Sequence, residues 1–198
     1  MNEQQKLEYS TLRTELIALS GRQISILALT MTATGVIVGI GLDSNSNQSI
    51  VVLSPLMLLC FAGLQIISQA FATIRISSYI SLFLEKETTH MRWETAMYHY
   101  RDSNGIKAKR NLSAGLGWRS FQIIIPGVGF FCLALSFILI DKSKDLWPQV
   151  WPPLVITLLW SAFSLFYVSR LERVASGEVD KWHRDHWAKV KESLWKND

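Results

Sequence analysis

Four stretches of this chain contain no Asp, Glu, Lys, Arg or His and are long enough to cross a lipid bilayer: Ile24–Leu42, Ile50–Thr73, Phe121–Ile140 and Trp151–Ser169. A hydrocarbon core is spanned by roughly 20 apolar residues wound as α-helix. Inside it, every backbone amide and carbonyl must be satisfied within the protein, which favours helix for each such segment. The expected fold is an all-α membrane protein, with four transmembrane helices and helical extensions outside the lipid.

The charges suggest an orientation. Of the 20 Lys and Arg residues, three precede the first span, eight lie between the second and third, and seven follow the fourth. The short loops 43–49 and 141–150 carry only Lys142 and Lys144. Cytoplasmic flanks collect Lys and Arg, so both termini and the centre are expected in the cytoplasm. The same bias, with attraction to anionic headgroups, accounts for most of the net charge of +4.

On this plan residues 1–23 form a cytoplasmic amphipathic helix, with Tyr9, Leu12, Leu16 and Leu19 recurring at helical spacing. A transmembrane hairpin follows over 24–73 (spans 24–42 and 50–73). A cytoplasmic helical segment covers 74–120, a second hairpin 121–169 (spans 121–140 and 151–169), and a cytoplasmic amphipathic tail 170–198. No proline separates the N-terminal helix from the first span, so one long helix is expected. The second helix should project beyond the lipid towards Lys86, with a short helix over Met91–Arg101 and a turn at Asp102–Gly105. Pro126 is placed to kink the third span, and Pro152-Pro153 suits the start of the fourth. In the tail, Val179, Trp182, His186, Val190 and Leu194 fall roughly on one face, with Trp187 and Trp195 alongside.

No motif for a hydrolase, a nucleotide-binding loop or a metalloenzyme is present, so neither a catalytic residue nor a cofactor is expected. His183 and His186 are three apart on a helix, which two ligands alone do not make into a metal site. Cys60 and Cys132 read as small apolar residues within spans.

Three constellations carry information. Gln65 and Gln69 are one turn apart in the second span, where an amide must find a partner or water. They serve either interhelical hydrogen bonds or an aqueous path. Ser25, Ala28, Thr32, Gly35 and Gly39 recur at three and four along the first span, a stripe of small residues that lets backbones approach. It packs either on the chain's own helices or on another subunit, and Gly35 and Gly39 are candidate pore-wall residues. Arg101, Lys107, Lys109 and Arg110, with Trp93, Tyr98 and Tyr100 upstream, would suit lipid headgroups or an anionic ligand such as a nucleotide or oligonucleotide.

Leu12-Arg13-Thr14-Glu15-Leu16 before the first span, a long second helix ending in Tyr79-Ile80-Ser81-Leu82-Phe83-Leu84-Glu85, and then Arg92-Trp93-Glu94 make up a recognisable layout. It resembles small four-span bacterial membrane effectors such as the channel component of the Hailong anti-phage defence system. That resemblance implies a homo-oligomeric ion channel of the inner membrane. A nucleotide or oligonucleotide signal made by a cytosolic partner enzyme would gate it, and its opening would depolarise the cell. No binding residue carries over from it. The alternative is a non-conducting anchor or scaffold that docks a cytosolic partner through its helical tail.

Overall fold

The computed structural model describes residues 3–43, 48–85, 116–140 and 146–195, and among them it is all helical, without a strand. In chain order the helices are α1 (Glu3–Asp43), the short α2 (Gln48–Leu53), α3 (Pro55–Tyr79), α4 (Leu116–Ile138), α5 (Leu146–Ala175) and α6 (Glu178–Trp195). Between Ile80 and Leu84, α3 continues as one turn of π-helix. Four segments are long and apolar enough to cross a membrane, within Glu3–Asp43, Ile50–Leu84, Phe121–Ile138 and Val150–Val174. The expectation of an all-helical chain with four helices able to span a membrane is met among the described residues.

α1 has 41 residues. At 1.5 Å per residue it is about 60 Å long, twice what a hydrocarbon core needs. The N-terminal amphipathic segment and the first span are therefore one uninterrupted helix. The second span is interrupted where continuity was expected. α2 ends at Leu53, Ser54 forms a turn, and Pro55 opens α3. A residue before proline is pushed out of the α region, while proline itself suits the first helical position. The Ser54 hydroxyl donates to the Val51 carbonyl at 2.8 Å, and the Ser54 amide reaches the same oxygen at 3.1 Å. α5 begins at Leu146, five residues ahead of the expected start, so Pro152 and Pro153 fall inside it rather than at its end. Pro126 likewise lies within α4.

The described residues form two compact units. One, here the apolar unit, comprises Ile24–Ile67 and Gly117–Arg170. Its buried side chains include Val52, Leu56, Leu59 and Ile66, spaced for one face of a helix, with Ile125, Cys132, Trp160 and Tyr167. α5 carries a row of rings, with Trp160 and Phe163 centroids 5.3 Å apart and Phe163 and Tyr167 5.9 Å apart. Two polar tips on that row tie it to α4. The Trp160 indole N–H donates to the Pro126 carbonyl at 3.4 Å, and the Tyr167 hydroxyl donates to the Phe121 carbonyl at 3.1 Å. The approach is so close at Gly129 that a β-carbon there would collide with the Trp160 indole. Outward, Leu29, Val36, Phe61, Leu64, Ile123, Phe131, Leu158 and Leu165 are exposed, as expected where the solvent is lipid.

The other, the polar unit, comprises the described residues within Met1–Gln23, Ser68–Leu116 and Leu171–Asp198. Its core joins Leu16 and Leu19 of α1 to Ile76, Ile80 and Leu84, with Tyr9, Leu12, Ala72 and Tyr79 around them. α6 packs on the π-turn. The chain enters α6 through Gly177, whose φ of +78° is strained for any residue with a β-carbon.

The face that α6 buries differs from the one its apolar spacing suggests. Val179 is buried and Val190 half-buried, as expected, but Trp182 is 61% exposed and His186 is exposed too; the Leu194 side chain lies outside the described residues. The covered side runs through Asp180, His183, Arg184, Trp187 and Lys191 instead. Charged residues occupy it because they are paired. The Ser78 hydroxyl lies 3.0 Å from Asp180, and the Arg184 guanidinium lies 3.4 Å from the same carboxylate oxygen. Pairing of this kind offsets part of the desolvation cost of covering a charge.

Candidate functional site

The helix faces decide what each sequence-derived candidate can do. In the apolar unit α1 buries Thr30, Thr34 and Gly41, a line along one side of the helix. Ser25, Ala28, Thr32, Gly35 and Gly39 lie about 160° round from that line at 3.6 residues per turn. All five are exposed, and no atom would lie within 4 Å of a β-carbon at Gly35 or Gly39. The small-residue stripe is thus not the packing face of the chain's own bundle. Of the two roles open to it from sequence, the intramolecular one is ruled out among the described residues.

The glutamines separate. Gln65 in the apolar unit is exposed, whereas Gln69 in the polar unit is half-buried. The Gln69 Oε1 atom is fully covered and has no hydrogen-bond partner among the described residues. Arg101, Lys107, Lys109 and Arg110 lie outside the described residues, as do the expected helix Met91–Arg101 and the turn after it.

Sequence reasoning overlooked a second set of polar groups. Gln23 and Thr34 are buried, with the Gln23 Nε2 and Thr34 Oγ1 atoms unpartnered among the described residues, as is Ser164 Oγ on α5. Each such group costs about 1–3 kcal/mol while it stays unsatisfied. Thr30 avoids that cost by donating to the Ile26 carbonyl at 2.7 Å. The spacing of Gln23, Thr30 and Thr34, at seven and four, was a usable signal, since it places three polar residues of α1 on one line.

In the polar unit three aromatic rings meet where α6 covers the π-turn. Tyr79 stacks on Phe83 at 4.8 Å, and Trp187 sets its edge to both, at 5.4 and 6.0 Å. The Tyr79 hydroxyl donates to Glu8 of α1 at 2.8 Å. The Lys191 ammonium donates to the Leu82 carbonyl at 3.1 Å and sits 5.2 Å from the centroid of the Phe83 ring. Trp182 stacks on His186 at 5.6 Å with the planes 8° apart. Burial lowers the His183 pKa from its ordinary 6.5, and the Arg75 charge adds to this; Asp180 opposes it, and His186 reinforces it.

Among the described residues no group of three or more His, Cys, Asp or Glu side chains is placed to hold a metal ion. Compared with protein families, with curated proteins and with solved structures, the chain matches none.

Proposed function

We propose that this protein is a homo-oligomeric ion channel of the bacterial inner membrane, with both termini in the cytoplasm, opened or closed by a cytosolic anionic ligand. Exposed Gln65 carries this reading. An amide turned towards hydrocarbon costs several kcal/mol unless water or another chain receives it. Other copies of the chain meet that need, either by hydrogen-bonding Gln65 directly or by enclosing water around it. The outward small-residue stripe of α1 supports the same reading, because it offers a close-packing face that the single chain leaves unused. The charge bias supports the orientation, and the basic, aromatic-interleaved segment around Arg101, Lys107, Lys109 and Arg110 is the ligand candidate. In defence against phage such a ligand would be a nucleotide or oligonucleotide made by a partner enzyme.

Ion flux from liposomes holding the purified protein tests this. The proposal expects dose-dependent flux that Gln65→Leu reduces severalfold. No flux at any protein dose, with the protein monomeric in the bilayer, would overturn it. The exposed Trp182 favours a second reading, a scaffold whose tail docks a cytosolic protein. That reading expects partner capture lost on Trp182→Ala, with no flux at all.

A further inference from the structure

We propose that α6 is a releasable latch whose docking holds the end of α3 in its π-turn. The inference stands on contacts within the polar unit and does not depend on conductance. A π-turn is a rare winding that occurs mostly as a single wide turn inside an α-helix, often at functional positions. Here it is closed by the Glu85 amide on the Ile80 carbonyl at 3.0 Å.

α6 grips this turn through polar and aromatic contacts at both ends. At one end the Ser78 hydroxyl lies 3.0 Å from Asp180 and 2.7 Å from the Ile74 carbonyl of its own helix. A hydroxyl has one proton, so Ser78 divides it between the latch and its own helix, and each bond is weaker for the sharing. At the other end Lys191 caps the Leu82 carbonyl and covers Phe83. Between the two, Trp187 fills the angle between Tyr79 and Phe83, yet its buried indole N–H has no partner among the described residues. While that N–H stays unsatisfied it sets about 1–3 kcal/mol against the gripping contacts of the docked state. Gly177, with its left-handed backbone, is the joint about which α6 would leave.

Hydrogen exchange of the full-length protein in lipid nanodiscs tests the latch. Lys191→Met keeps the aliphatic stem and removes the ammonium. It is expected to speed exchange of the amides of residues 80–85 and of 178–195 together by about tenfold or more, leaving α4 unchanged. Trp187→Phe keeps a ring and removes the unpartnered N–H, and it is expected to slow exchange in the same two segments. Opposite shifts from the two variants distinguish a latch from general loss of fold. Faster exchange in 178–195 with 80–85 unmoved would overturn the proposal, as would Trp187→Phe speeding exchange in both.

Discussion

Gly129→Ala puts one methyl group where the Trp160 indole lies. The β-carbon would overlap that ring, and the indole is 2% exposed with its N–H committed to the Pro126 carbonyl. Either the α4–α5 pair moves apart or Trp160 leaves its position. Overpacking of this kind costs about 1–3 kcal/mol, and the lost interhelical hydrogen bond adds about 0.6 kcal/mol, a typical membrane value. Helix propensity works the other way, since alanine is favoured over glycine by about 1 kcal/mol. The net expected loss is about 0.6–2.6 kcal/mol, read from equilibrium unfolding in mixed micelles. Gly127→Ala is the internal control. No atom would lie within 4 Å of its β-carbon, so only the propensity gain remains. A double-mutant cycle with Trp160→Leu isolates the contact, and the penalty of Gly129→Ala should largely vanish in that background. Equal penalties in the two backgrounds, or a stabilising Gly129→Ala in the native one, would refute the packing argument.

Acid should loosen α6. The folded-state pKa of His183 lies below its ordinary 6.5, so the unfolded segment binds protons first. The stability concerned is complete above that value and is lost as pH falls below it. Exchange protection of residues 178–195 is expected to drop between pH 7.5 and 5 and to become flatter with pH in His183→Gln; protection that rises in acid contradicts this. Gly35→Leu with Gly39→Leu should leave the melting temperature of the isolated subunit within a degree or two while reducing assembly on cross-linking, because both positions face open space. Gly177→Ala should destabilise α6 docking by about 1 kcal/mol through its positive φ, visible as increased proteolysis at the α5–α6 junction.

Much of the architecture was legible because lipid imposes a simple rule. Long uncharged stretches can hardly be anything but spans, and the absence of proline between residues 3 and 43 foretold the single long α1. Local proline chemistry was harder to read. Ser54-Pro55 breaks a run whose composition looks continuous, while Pro152 and Pro153 sit inside a helix they were expected to start. Periodicity was only partly right on α6 for a physical reason: buried Asp180 and half-buried Arg184 form a pair on the covered side, so that face is rotated away from Trp182 and His186. The small-residue stripe could be recognised from spacing alone, but its direction could not, since the same pattern suits contact within a chain or between chains. In lipid, exposure carries no hydrophobic penalty that would betray which side is free.

Central to the channel reading is that copies of the chain enclose water around Gln65, rather than leave it facing lipid. A charged, membrane-impermeant thiol reagent applied to Gln65→Cys channels in a planar bilayer, with Cys60 and Cys132 replaced by alanine, tests it most directly. The account predicts that the reagent reacts at position 65 and blocks the current. Unmodified cysteine beneath a persisting current, or no current from the assembled protein at all, would contradict it.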